Sequence, residues 1–167
     1  MKEISIIIVS YNVKYYIEQC LHSIFRSQGI DISSIEIFVV DNFSKDGTVS
    51  YLRQQFNPTR TPNVRIIANK RNVGFGRANN QAVRMATGKY ILFLNPDTLL
   101  TEHTLADVLT EARQHEKFGG IGVKMLHTNG QFAPESRRGV PSPWAAFCKM
   151  SGLLRLFPHS RVFGRYY

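Results

Sequence analysis

Apolar residues fall in short continuous runs separated by segments of helical spacing. Residues 4–9 (Ile-Ser-Ile-Ile-Ile-Val) are rich in β-branched side chains, as in a strand buried on both faces. Residues 35–40, 64–68 and 90–94 repeat the pattern and predict three more strands. Between them, Val13, Ile17, Cys20, Leu21 and Ile24 recur at helical spacing, predicting a helix to about residue 28, closed by Gly29. Thr48 opens a helix carrying Val49, Leu52 and Phe56. Phe75, Ala78, Ala82, Met85 and Ala86 predict one face of a third helix, ended by Gly88. A fourth runs from Thr101 or Glu102 to about Glu116, and residues 119–126 read as a glycine-rich strand before an Asn129-Gly130 turn.

Strands alternating with helices predict an α/β fold with a mostly parallel, doubly wound sheet and flanking helices. Such sheets bind ligands beyond the carboxyl ends of their strands. Four polar loops fall there: Ser10-Tyr11-Asn12, Asp41-Asn42, Asn72-Val73-Gly74-Phe75 and Asn95-Pro96-Asp97.

The glycine pattern of dinucleotide folds is missing after the first strand, so pyrophosphate cradled on the first helix is not expected. Tyr11 suits stacking, and Asn12 suits hydrogen bonds to a nucleobase edge or a helix cap. Asp41 is placed to accept from a base imide or a ribose hydroxyl, or to face solvent as a loop acid. Gly74 and Gly76 let backbone approach a ligand at a helix N-terminus. Arg77 is a diphosphate partner or a solvated arginine. Asp97 can hold a hard divalent cation, Mg²⁺ or Mn²⁺, together with substrate phosphates, or cap a proline turn.

At 167 residues the chain is long enough for one core, and 43 % hydrophobic content marks it as globular. No apolar run approaches the roughly 18–20 residues of a bilayer span, and the start is too short for a signal peptide, so a cytoplasmic location is expected. Cys20 and Cys148 read as reduced thiols, and the five histidines show no metal spacing. The net charge of +9 is concentrated late: no acid follows Glu135, whereas Arg137, Arg138, Lys149, Arg155, Arg161 and Arg165 do. Cations and aromatics are not interleaved along strands, which argues against nucleic acid. Residues 144–157 mix apolar side chains with cations, as a core helix or as an element touching an anionic membrane.

The four loops together resemble the family 2 glycosyltransferases, inverting enzymes of the GT-A fold. The resemblance runs through V-S-Y-N at Val9 to Asn12, V-D-N-x-S at Val40 to Ser44, N-x-G-F-G-x-A-N-N at Asn72 to Asn80, and L-N-P-D-T at Leu94 to Thr98. It covers about the first 125 residues. The Asn-Pro-Asp form is most similar to a rhamnosyltransferase branch that builds bacterial surface polysaccharides. The resemblance implies that Ser10, Tyr11, Asn12 and Asp41 hold the nucleoside of a dTDP- or UDP-linked sugar. Asn72, Gly74 and Phe75 would shape the pocket wall, with Arg77 and Asn95 near the diphosphate and Asp97 on the metal. The acceptor would be a glycan or lipid-linked, at the inner face of the plasma membrane. The family's general base comes from a later acidic segment that this sequence lacks; Glu135 is the remaining late acid. The expected division is a donor-binding domain over residues 1–130 and the start of an acceptor-side region over 131–167, truncated at the C-terminus. A nucleotide-sugar-binding module without catalysis is the alternative.

Overall fold

The computed structural model describes residues 2–117, 119–127, 129–133, 136, 142–152, 156 and 160. Four strands alternate with helices: β1 Ile4–Ser10, α1 Lys14–Phe25, β2 Ile35–Asp41, α2 Thr48–Gln55, β3 Val64–Ala68, α3 Phe75–Val83 and β4 Tyr90–Leu94, followed by α4 Thr104–Gln114 and α5 Pro143–Met150. The chain forms two compact units, Met1–Glu111 and Ala112–Tyr167.

In the first unit the strands make one parallel sheet in the order β3-β2-β1-β4. The apolar runs dictate this, because a parallel strand covered on both faces has no side to give to water. On one face Ile4, Ile6 and Ile8 of β1 and Ile35, Ile37 and Val39 of β2 pack against Ile17, Leu21 and Ile24 of α1, Leu52 of α2 and Leu105 and Leu109 of α4. On the other, Ile7, Phe38 and Val40 meet Ala78 and Ala82 of α3. The small alanines let α3 lie close over β1 and β2.

Three expectations need correction. β4 is not buried on both faces: Phe93 is 56 % exposed and Ile91 is also exposed. It lies at one edge of the described sheet, and α3 covers the β1–β2 side instead. Phe75 and Met85 are exposed and do not extend the apolar face of α3, which ends at Val83. Residues 119–126 form no strand. Among the described residues one antiparallel bridge, Leu126 to Phe132, closes around the Asn129-Gly130 turn. The glycines at 119, 120 and 122 supply no side chain to pack and leave more backbone entropy to lose.

Gly88 also has a different duty from the one expected of it. It does not end α3. A Cβ there would stand 2.5 Å from the Ser5 backbone nitrogen, so glycine is what lets the chain press against β1 as it enters β4.

Candidate functional site

After β1 the chain adds β2 and then β3 on one side, and then crosses to place β4 on the other side of β1. The order reverses at β1, and the carboxyl ends of β1 and β4 therefore flank a switch-point crevice. The loop carrying Tyr11 and Asn12 leaves from one side, and the loop carrying Asn95 and Asp97 from the other.

The loops after β1 and β2 are laced together. Ser10 and Asp41 are register partners, and Ser10 Oγ donates to Asp41 Oδ1 at 3.2 Å. Ser44 donates to the same carboxylate through both its hydroxyl and its N–H, the latter at 2.9 Å. Asp41 is 1 % exposed. A carboxylate offers about four lone-pair positions, and three are taken, which leaves one for a ligand. Asn12 has a left-handed backbone (φ 54°), its N–H donates to Ser44 Oγ at 2.8 Å, and its Oδ1 accepts from Lys45 N–H at 2.8 Å. Its amide NH₂ is the group it can turn toward a base. Lys14 N–H donates to Asp46, adding a further stitch.

A second seam joins the loops after β2 and β3. Asn42 Nδ2 donates to Asn72 Oδ1 at 2.8 Å, while Asn42 Oδ1 accepts from Val73 N–H at 2.9 Å and from Asn69 Nδ2 at 3.3 Å. Asn72 Oδ1 also accepts from Gly74 N–H. Asn42, Ser44 and Asn69 were not among the expected site residues. The clue was available: Asn and Ser at strand ends readily bond to backbone. Their cross-loop partners, 27 to 32 residues away, are not visible in sequence. Gly74 (φ 86°) caps α3 just before Phe75, and neither it nor Gly76 has an atom within 4 Å of an added Cβ, so this shelf is open. Phe75 and Arg77 are exposed beside it.

Asn95 and Asp97 are exposed on the loop after β4. Thr98 N–H donates to Asn95 O at 3.2 Å, making the proline turn, and Cys20 Sγ lies 3.6 Å from the same oxygen. Burial, and secondarily the Asp97 charge, push the Cys20 thiol up to about 12. No hydrogen bond or salt bridge among the described residues occupies the Asp97 carboxylate. Those residues also contain no cluster of three His, Cys, Asp or Glu side chains. A lone, unencumbered carboxylate fits Mg²⁺ or Mn²⁺ held jointly with phosphate oxygens and water, and does not fit an all-protein cage. Glu135, Arg137 and Arg138 lie outside the described residues.

Two clefts lie elsewhere. One of about 630 Å³ runs between α1 and residues 99–103, and one of about 730 Å³ is formed by residues of the second unit. Neither is lined by Asp41 or Asp97. The switch-point site is an open shelf, so loop chemistry and strand order identify it better than cavity size.

A parallel sheet with this order and these loops defines a GT-A type α/β domain. The structure of S. aureus TarS 1-349 in complex with UDP-GlcNAc superimposes with a TM-score of 0.64 at 26 % identity, over 86 % of this chain and 38 % of that one. The mannosyltransferase PcManGT from Pyrobaculum calidifontis, in complex with GDP-Man and Mn²⁺, matches with a TM-score of 0.59 at 26 % identity over 74 % and 36 %. In sequence, the minor teichoic acid biosynthesis protein GgaB of Bacillus subtilis is 32 % identical over 68 % of this chain and 12 % of its own length. Residues 5–162 match glycosyl transferase family 2, and the chain belongs to that family. It spans well under half of the relatives named here.

Proposed function

We propose that this chain is the donor-binding part of an inverting glycosyltransferase. It would move a sugar from a nucleotide diphosphate to a polysaccharide or lipid-linked acceptor during cell-surface glycan synthesis. One observation carries the reading. Two carboxylates flank the carboxyl end of β1: Asp41 is buried with one lone pair to spare, and Asp97 is exposed with both oxygens available. The first suits a neutral N–H or O–H of a nucleoside, and the second would suit a hard divalent cation.

Tyr11, Asn12 and Asp41 would hold the nucleoside, with Ser10 acting through Asp41. Asn72, Gly74 and Phe75 would form the pocket wall, and Arg77 and Asn95 would face the diphosphate. Asp97 would hold Mg²⁺ or Mn²⁺, which would supply Lewis acidity toward the donor diphosphate. Direct attack by an acceptor hydroxyl inverts the anomeric carbon and needs a base. With Asp41 and Asp97 assigned to the donor, no other acid in the described crevice serves as that base, and Glu135 lies outside the described residues; we expect weak or absent transfer by this chain alone. The same observation favours the second reading, a nucleotide-sugar-binding module without catalysis.

UDP is the first donor nucleotide to test, supported by the UDP-GlcNAc bound in TarS. Rhamnose on dTDP is the narrower proposal, supported by the Asn-Pro-Asp turn. No described helix is long and apolar enough to cross a membrane. A cytoplasmic location with peripheral contact to anionic lipid is supported by the exposed Trp144, Phe147 and Met150 of α5. Co-sedimentation with anionic liposomes, weakened by salt, checks that contact.

The central test is calorimetric titration of UDP, dTDP and GDP with and without Mn²⁺. Diphosphate binding that needs Mn²⁺ and is lost in Asp97→Ala supports the reading. Indifference to all three nucleotides rejects it.

A further inference from the structure

The segment after β2 contains a residue whose backbone is out of keeping with its side chain. Phe43 has φ 77°, in the left-handed region that a bulky L-residue avoids and glycine adopts freely. Its neighbours hold it there. Asp41 accepts from Ser44, Asn42 bonds to the loop after β3 and donates its N–H to Ser10 O, and Lys45 N–H donates to Asn12. The loop would keep every one of these bonds with glycine at position 43. The strain is therefore spent on presenting a benzyl group, and strain of this kind concentrates where a side chain serves a ligand. The ring is 37 % exposed, two residues from the buried Asp41, and Lys45 Nζ stands 3.5 Å from its centroid.

We infer that Phe43 is a stacking platform for the base of the bound nucleotide, with the Lys45 ammonium on one face of the ring and the base on the other. This rests on the donor-binding reading and adds to it a residue that selects for a nucleoside over a bare diphosphate. Phe43 follows Asp41 by two residues on the same loop, so the exposed ring would be offered to a base whose imide N–H meets the spare lone pair of Asp41. An ammonium over the far face holds that ring in place by attraction to its π cloud. Such a contact tolerates any base, because every base has a π face, so Phe43 supplies affinity while Asp41 reads the edge.

The test uses the 167-residue chain and Mn²⁺, with UDP and inorganic pyrophosphate as paired probes. Phe43→Gly and Phe43→Asn both suit the left-handed backbone, so their thermal midpoints should equal or exceed that of the parent. Both should bind UDP about tenfold more weakly, as expected for loss of one base-stacking contact. Pyrophosphate binding should be unchanged, and Phe43→Trp should keep UDP affinity. If the parent binds UDP and Phe43→Gly binds it equally well, the inference is overturned while the donor site stands. Equal losses for UDP and pyrophosphate with a lowered midpoint would also overturn it, by showing a structural role. A parent that binds no nucleoside diphosphate would overturn the donor reading, and this inference with it.

Discussion

Ser10 and Asp41 end adjacent parallel strands in register, and the Ser10 hydroxyl donates to the Asp41 carboxylate at 3.2 Å within the buried end of the sheet. The bond fixes an acid that keeps one lone-pair position beyond its three protein donors. Ser10→Ala should cost about 1.5 kcal/mol in urea unfolding, the usual value of a hydrogen bond to a charged group. Asp41→Ala should cost about 3 kcal/mol, because it also orphans the Ser44 donors, and should abolish UDP binding. An Asp41→Ala protein as stable as the parent would contradict the network.

Asp97 should behave oppositely. It is exposed and makes no bond among the described residues, so Asp97→Ala should change stability by less than about 0.5 kcal/mol. Unfolding curves of this variant and of Asp41→Ala, measured together, separate an acid that holds ligand from one that also holds the fold.

Gly88→Ala should be severe. The new methyl would meet the Ser5 nitrogen at 2.5 Å and the Ile4 carbonyl carbon at 2.7 Å, both backbone atoms of a central strand. A loss of about 3 kcal/mol is expected, since neither atom can move without breaking sheet pairing. Denaturant titration checks it, and an unaffected midpoint would mean that the chain enters β4 differently.

Glu36 gives the fold an acid limit. Burial alone would raise its carboxyl pKa, but hydrogen bonds from Ser5 Oγ, Thr87 N–H and Thr87 Oγ1, with the Arg65 charge, outweigh burial and hold it below its ordinary 4.5. The folded chain therefore binds this proton less tightly than the unfolded chain. The stabilisation is fully present above pH 4.5 and is lost as pH falls through the lower folded value. Glu36→Gln should be less stable than the parent at pH 7, and the gap should narrow in urea midpoints taken below pH 4.5.

Cys20 should resist thiol reagents. With its ionisation pushed up to about 12 by burial and by the Asp97 charge, almost no thiolate exists at pH 8. A Cys148→Ser protein should react with an aromatic disulfide reagent at pH 8 only once unfolded. Rapid labelling of the native form would show that the region between α1 and the Asn95 turn opens.

How much could be read from the chain varied by element. β3 and β4 fall on the predicted residues, and β1 and β2 run one residue further, to Ser10 and Asp41. Met85 and Ala86 keep helical spacing past the end of α3 at Val83, although the chain there has already turned toward Gly88. Residues 119–126 alternate apolar side chains with glycine and polar positions, which suggests a strand. The pattern says nothing about whether a partner strand exists.

The sequence by itself determined the four strands, their parallel sense and the polar loops at their carboxyl ends. A strand covered on both faces must be apolar throughout, and a crossover helix forces parallel pairing. Only the tertiary structure decided that β4 lies across β1 from β2, which of the two carboxylates is buried, and that Asn42 and Ser44 stitch the loops. Those outcomes depend on partners about 30 residues or more apart, and local spacing carries no information about which distant strand will be the neighbour.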